Sequence, residues 1–361
     1  MSDLLRSLAL ALVILSATAA AAGPKPDARR IERSYWLHAS LADDTRRGYW
    51  GPAYPAPPAP TGGEVRAAAR LLCGPMGANR LYLIYSGEIA SSDAIRVFGW
   101  WRRACPRSVE IVPTLVLRMY DREMTPTFTA EQAGALCDAL RRTAGARRIA
   151  VYDVYPSRDQ GPALATLRAR FPGALLRVGL QPGEATPGAA GVVEDTWSAL
   201  CHGKTTADWL SPGFGAETLR RWVTERGPDG PPVAWDLVTV AWDYLPTPRG
   251  AYPGYDDAAR NMPLPAGRNR AAAATIIANA KPGAFAGFSS DLFILHVNSQ
   301  HPSHDGALGA FYACLRRGER YHGYYAAPME EIMAIYAGLA RGRLPEAAAA
   351  SPAEIGPGPR G

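Results

Sequence analysis

The chain has 361 residues, 47% of them hydrophobic and 20% charged, a composition that excludes an intrinsically disordered or fibrous protein. Five cysteines in this length exclude a disulfide-built miniprotein. The net charge of +6 comes mostly from arginines scattered among acidic residues, in runs no longer than pairs such as Arg46-Arg47 and Arg102-Arg103. It describes a mildly basic surface and not a nucleic-acid-binding stripe.

Taken in chain order, the first element is Met1–Ala22. Arg6 precedes the apolar run Leu8–Leu15, and small residues of the Ala-x-Ala type follow. This pattern predicts a secretory signal peptide, shorter than the roughly 20 apolar residues a membrane span needs. The expectation is a secreted or periplasmic protein with no stable membrane insertion after processing. Residues 23–342 are expected to form a single domain, and the Ala-, Pro- and Gly-rich stretch 343–361 a disordered tail.

Eight apolar, β-branched or aromatic runs follow: 34–41, 80–88, 109–120, 148–155, 175–181, 191–197, 233–244 and 284–291. Most are near-continuously apolar, as strands covered on both faces are. Helical patterns separate them at 64–73, 92–105, 129–142, 161–170, 215–226 and 268–280, the third opening on the capping-box pattern Thr129-Ala130-Glu131-Gln132. Eight strands alternating with helices predict an α/β fold of the (β/α)8 TIM-barrel type. The alternative, a doubly wound sheet, lacks the Gly-x-Gly-x-x-Gly of its dinucleotide-binding form. The run 233–244 holds an echo, Ala234-Trp235-Asp236 and Ala241-Trp242-Asp243. Its offset is odd, so on one regular strand only one of the two Asp residues can point into a barrel.

Barrel enzymes place reacting groups at the C-terminal ends of their strands. The strand reading puts His38, Arg118, Tyr120, Asp153, Tyr155, Asp195, Trp197, Trp242, Asp243 and Asp291 there. Tyr and Trp interleaved with carboxylates suit a carbohydrate, whose C–H faces stack on rings while its hydroxyls need acceptors. No zinc-protease His-Glu-x-x-His, serine-hydrolase elbow or Walker motif is found. His301-Pro-Ser-His304 carries a proline that disfavours two ligands one helical turn apart. No metal and no cofactor is expected.

An exported barrel with rim carboxylates and aromatics resembles the TIM-barrel glycoside hydrolases over the whole mature domain. The chitinase-type Asp-x-x-Asp-x-Asp-x-Glu is missing from the fourth strand, which reads Val151-Tyr152-Asp153-Val154-Tyr155. The pairing of Asp153 on the fourth strand with Asp195 on the sixth is similar to the arrangement in the barrel α-galactosidases. The resemblance implies hydrolysis of a poly- or oligosaccharide, with Asp153 as nucleophile or base and Asp195 as acid, because glycosidic cleavage needs one ionised and one protonated carboxyl group. Asp243 is the reserve carboxylate. His38, Arg118, Tyr120, Tyr155, Trp197, Trp242, Asp243 and Asp291 would bind substrate. Two other readings stay open: a non-catalytic carbohydrate-binding barrel, and a metal-dependent hydrolase using His38, Asp153 and the late histidines.

Overall fold

The computed structural model describes residues 26–41, 59–85, 91–116, 130–143, 145–146, 148–152, 169–170, 176–180, 194–199, 208–209, 211, 214–227, 229–244, 259–281, 283–292 and 307–346. The predicted leader, most of the predicted helix 161–170, and residues 347–361 lie outside these. At the C-terminal end of the described chain, Leu344 still packs against the core.

Ten strands are described: β1 (Glu32–His38), β2 (Arg80–Tyr85), β3 (Glu110–Val116), β4 (Ala150–Tyr152), β5 (Leu176–Leu180), β6 (Glu194–Ala199), β7 (Val233–Asp236), β8 (Val240–Tyr244), β9 (Ala259–Pro263) and β10 (Phe285–Asp291). The helices are α1 (Gly62–Cys73), α2 (Ser91–Ala104), α3 (Ala130–Thr143), α4 (Phe214–Arg226), α5 (Arg268–Asn279), α6 (Ala307–Arg317) and α7 (Ala326–Ala340).

Eight strands form one sheet in the order β4-β3-β2-β1-β10-β7-β6-β5, and every pairing in it is parallel. Followed from β1, the order is sequential in both directions, and its two ends, β4 and β5, approach with Cα atoms within 8 Å. A parallel sheet whose first and last neighbours meet is a (β/α)8 barrel, as the alternation of elements predicts. The open doubly wound alternative, which reverses strand order at a switch point, does not fit this sequence of neighbours.

The two faces of β1 show how the core divides. The Tyr35 hydroxyl donates to the Met76 carbonyl at 3.0 Å and its ring packs on Tyr336 of α7, so Tyr35 faces the helices. Alternation then assigns Arg33 and Leu37 to that outer face, and Glu32, Ser34, Trp36 and His38 to the barrel interior. All seven residues of β1 are buried, as a strand covered on both faces requires. The outer layer packs α1 beside α2 and α6, α2 beside α3, and α5 beside α4 and α7.

Local chemistry fixes the element ends. Thr61 and Glu64 form a reciprocal capping box, so α1 begins two residues before the apolar periodicity does. α5 starts at Gly267 with no side-chain cap of its own. Glu331 of α7 supplies one, its carboxylate accepting from the Arg270 N–H at 2.7 Å and the Gly267 N–H at 3.1 Å.

The seventh predicted strand is two. β7 ends at Asp236, and β8 pairs antiparallel with β9 in a separate hairpin. The reason is Asn269, fully buried at the start of α5. Its Oδ1 accepts from the Val238 N–H at 3.2 Å, and its Nδ2 donates to the Val238 carbonyl at 2.8 Å. A side-chain amide thus takes the place of a neighbouring strand at Val238, and the chain leaves the barrel there.

Candidate functional site

At the N-terminal end of the barrel the interior is closed by charge. Arg80 donates through Nη1 to Glu32 at 2.5 Å, and through Nε and Nη2 to Glu110 at 3.0 and 2.8 Å. The Tyr82 hydroxyl accepts from Arg80 at 3.2 Å and donates to Glu32 at 3.4 Å. Arg148 approaches the other Glu110 oxygen at 3.2 Å. Burial works against the Arg80 charge, but Glu32, Tyr82 and Glu110 outweigh it and hold its pKa above the ordinary value. Glu32, Arg80 and Glu110 are the first residues of their strands, so this network sits at the end of a barrel associated with stability. Above it, Trp36 stacks on Tyr82 with centroids 4.0 Å apart and planes 10° from parallel.

A second polar group lines the interior. Ser34 on β1 is in register with Ser289 on β10, and Ser289 with Asp236 on β7. Ser34 is on the inner face, so register places Ser289 and Asp236 there too. The intervening Trp235 faces outward and meets Phe214 of α4 edge-on at 5.5 Å. The row is fully buried, at 0% exposure for Ser34 and 1% for Ser289 and Asp236. Asp236 is the C-terminal residue of its strand, where barrel chemistry is placed.

His38 ends β1 on the same inner face and is also fully buried. Its backbone N–H donates to the Tyr312 hydroxyl at 2.8 Å. The turn that follows is held from outside. Trp101 donates to the Ala39 carbonyl at 3.4 Å, and Arg316 of α6 donates to the Ser40 and Leu41 carbonyls at 3.1 and 2.9 Å. Leu41 sits at φ 52°, left-handed backbone for a buried leucine. Such a conformation costs of order 1–3 kcal/mol and persists where surrounding contacts over-determine it, often beside functional groups. Here the Arg316 clamp supplies those contacts.

Of the residues predicted for the site, only His38 has a described side chain. Asp153, Arg118, Tyr120 and Tyr155 lie outside the described residues. Asp291 is the last residue of β10, at the C-terminal end as expected, but the sixth strand starts later than its apolar run, so Asp195 is the second residue of β6 and Trp197 lies mid-strand, and neither ends it. Trp242 and Asp243 correct the strand reading, because they belong to β8 of the hairpin and not to the end of the seventh barrel strand. The residue that takes that place is Asp236, which the sequence reading, having chosen Asp243, did not put forward. No cluster of three or more His, Cys, Asp or Glu side chains able to hold a metal occurs among the described residues. No described helix is long and apolar enough to cross a membrane.

No protein-family model matches the chain. No curated protein matches it either. Solved structures that share its outline include the carboxyl transferase domain of Rhizobium etli pyruvate carboxylase, 10% identical, TM-score 0.41, with 87% of this chain and 48% of that one covered. The chain thus spans about half the length of that domain. The Bacillus cereus spore cortex-lytic enzyme SleL is 13% identical, TM-score 0.41, with coverages of 74% and 71%. A dihydrodipicolinate synthase family protein from Coccidioides immitis is 9% identical, TM-score 0.38, with coverages of 85% and 78%.

The glycoside hydrolase expected from the sequence is corrected, because its acid, Asp195, is the second residue of β6 and stands at the N-terminal end of that strand, away from the rim where barrel enzymes place reacting groups. The barrels sharing its outline include a carboxyl transferase, a dihydrodipicolinate synthase family protein and an N-acetylneuraminate lyase. Glu32 and Glu110, inner-face carboxylates whose side chains are described, are both tied to Arg80 at the N-terminal end. They are not a pair flanking a bond at the mouth, which glycosidic cleavage needs.

Proposed function

We propose that the chain is an enzyme that moves a proton on a small polar substrate inside the C-terminal half of the barrel. Asp236 is the proton-transferring group, Ser34 and Ser289 orient the substrate beside it, and His38 is a second proton carrier nearer the mouth. The observation that carries this reading is the placement of Asp236, a carboxylate with 1% exposure on the inner face at the C-terminal end of a barrel strand. A carboxylate on the inner face at the C-terminal end of a barrel strand stands where barrel enzymes place their reacting groups.

The reading is tested by incubating the purified chain with a panel of small polar metabolites and following turnover by NMR. For any substrate found, Asp236→Asn is expected to lower kcat by about a hundredfold or more, the contribution typical of a positioned acid or base. Wild-type turnover in a folded Asp236→Asn variant contradicts it.

A further inference from the structure

Cys73 is the last residue of α1, and Cys105 follows the last turn of α2, its N–H donating to the Trp101 carbonyl at 3.0 Å. The two helices lie side by side. They bring the two sulfurs to 3.3 Å, with the Cys73 thiol donating to Cys105. Both are free thiols here, Cys73 half-buried and Cys105 buried. A disulfide needs sulfurs at about 2.05 Å, so about 1 Å of further approach separates this contact from a covalent bond.

We propose that Cys73 and Cys105 form a structural disulfide that staples α1 to α2 at the N-terminal end of the barrel. The oxidant is a disulfide of a low-molecular-weight thiol or of a thiol oxidoreductase. The more accessible Cys73 attacks it as a thiolate, forming a mixed disulfide and releasing one thiol. Cys105 then attacks the Cys73 sulfur and releases the second. Two protein thiols become one disulfide, and one external disulfide becomes two thiols, so electrons and protons balance.

The location favours a staple over a redox catalyst. Reactive cysteines are found at helix N-termini, whose partial positive charge stabilises the thiolate. These two stand at helix C-termini, where the dipole disfavours it. The hydrogen bond from Cys73, together with burial, pushes the Cys105 thiol further up. The bridge would close a loop with a sequence separation of 32 that contains all of β2 and α2. A loop of this length removes substantial entropy from the unfolded chain.

The experiment treats the full chain with oxidised glutathione at mildly alkaline pH, quenches in acid, alkylates, digests with trypsin without reduction and analyses the peptides by mass spectrometry. Peptide 71–80 joined to peptide 104–107 is expected. The unfolding midpoint should rise by roughly 5–10 °C over the reduced protein, and dithiothreitol should reverse the rise. Cys73→Ser should lose both the joined peptide and the shift. Since dithiothreitol acts on the native sequence, the test holds even where that variant fails to fold. Recovery of both cysteines in alkylated form, or of either joined to Cys137, Cys201 or Cys314, overturns the proposal.

Discussion

Gly287 shows how one residue sets the join between β10 and β1. Its φ is 150°, and a Cβ there would come within 2.4 Å of the Glu32 backbone N and O. The register of β10 against β7 shifts between Phe285 and Gly287, so the glycine sits on a bulge that brings two backbones close together. Gly287→Ala must move β1 or distort β10, and it is expected to cost about 3 kcal/mol or more of stability by denaturant unfolding. A loss under about 1 kcal/mol would mean that the join is soft. The same scale marks what the sequence showed of the site. The Ala-Trp-Asp echo excludes Asp236 and Asp243 from sharing one face of one strand, but they lie on two strands, β7 and β8. Choosing between them takes Asn269, distant in sequence, whose amide ends the strand at Val238. The Ser34, Ser289 and Asp236 row is likewise invisible without register, since its members come from three separate segments.

At the scale of elements, the strands and helices followed from hydrophobic pattern. Apolar runs placed seven of the barrel strands within a few residues, because strands covered on both faces leave a continuous apolar signature, and overran the seventh into β8 of the hairpin. Their ends were overextended where apolar residues continue into the following turn, as His38-Ala39-Ser40-Leu41 does after β1. The tertiary cap of α5 by Glu331 had no sequence signal, since its partner lies on α7. Burial raises the Glu331 pKa, and hydrogen bonds from Arg270 and Gly267 offset this only in part. The native state therefore holds the proton more tightly than the unfolded chain. The stabilisation linked to that proton is complete below the unfolded carboxylate value and is lost as pH rises through the folded one. Glu331→Gln removes this titration. The unfolding free energy of the wild type minus that of Glu331→Gln is therefore expected to decline as pH rises above the ordinary glutamate value. A difference that stays level or grows over that range contradicts the assignment.

For the whole molecule, the barrel has two polar ends of different kinds. The N-terminal end is a satisfied ion network, in which Arg80 is bracketed by Glu32 and Glu110 and joined by Tyr82. The C-terminal half holds Asp236 and His38 in buried positions beside a strained, clamped turn. If the first end serves stability and the second function, charge removal should have unequal consequences at the two. Arg80→Met leaves the buried Glu32 without its cation, while the half-buried Glu110 keeps Arg148, and is expected to cost about 3 kcal/mol. Asp236→Asn keeps the shape of the side chain and its capacity for hydrogen bonds, and is expected to change stability by less than about 1 kcal/mol. The deciding measurement is therefore the equilibrium unfolding free energy of these two variants against the wild type under one set of conditions. A large loss for Arg80→Met with none for Asp236→Asn is the predicted result. A loss for Asp236→Asn as large as that for Arg80→Met would make Asp236 a structural residue and contradict the placement of function at that end of the barrel.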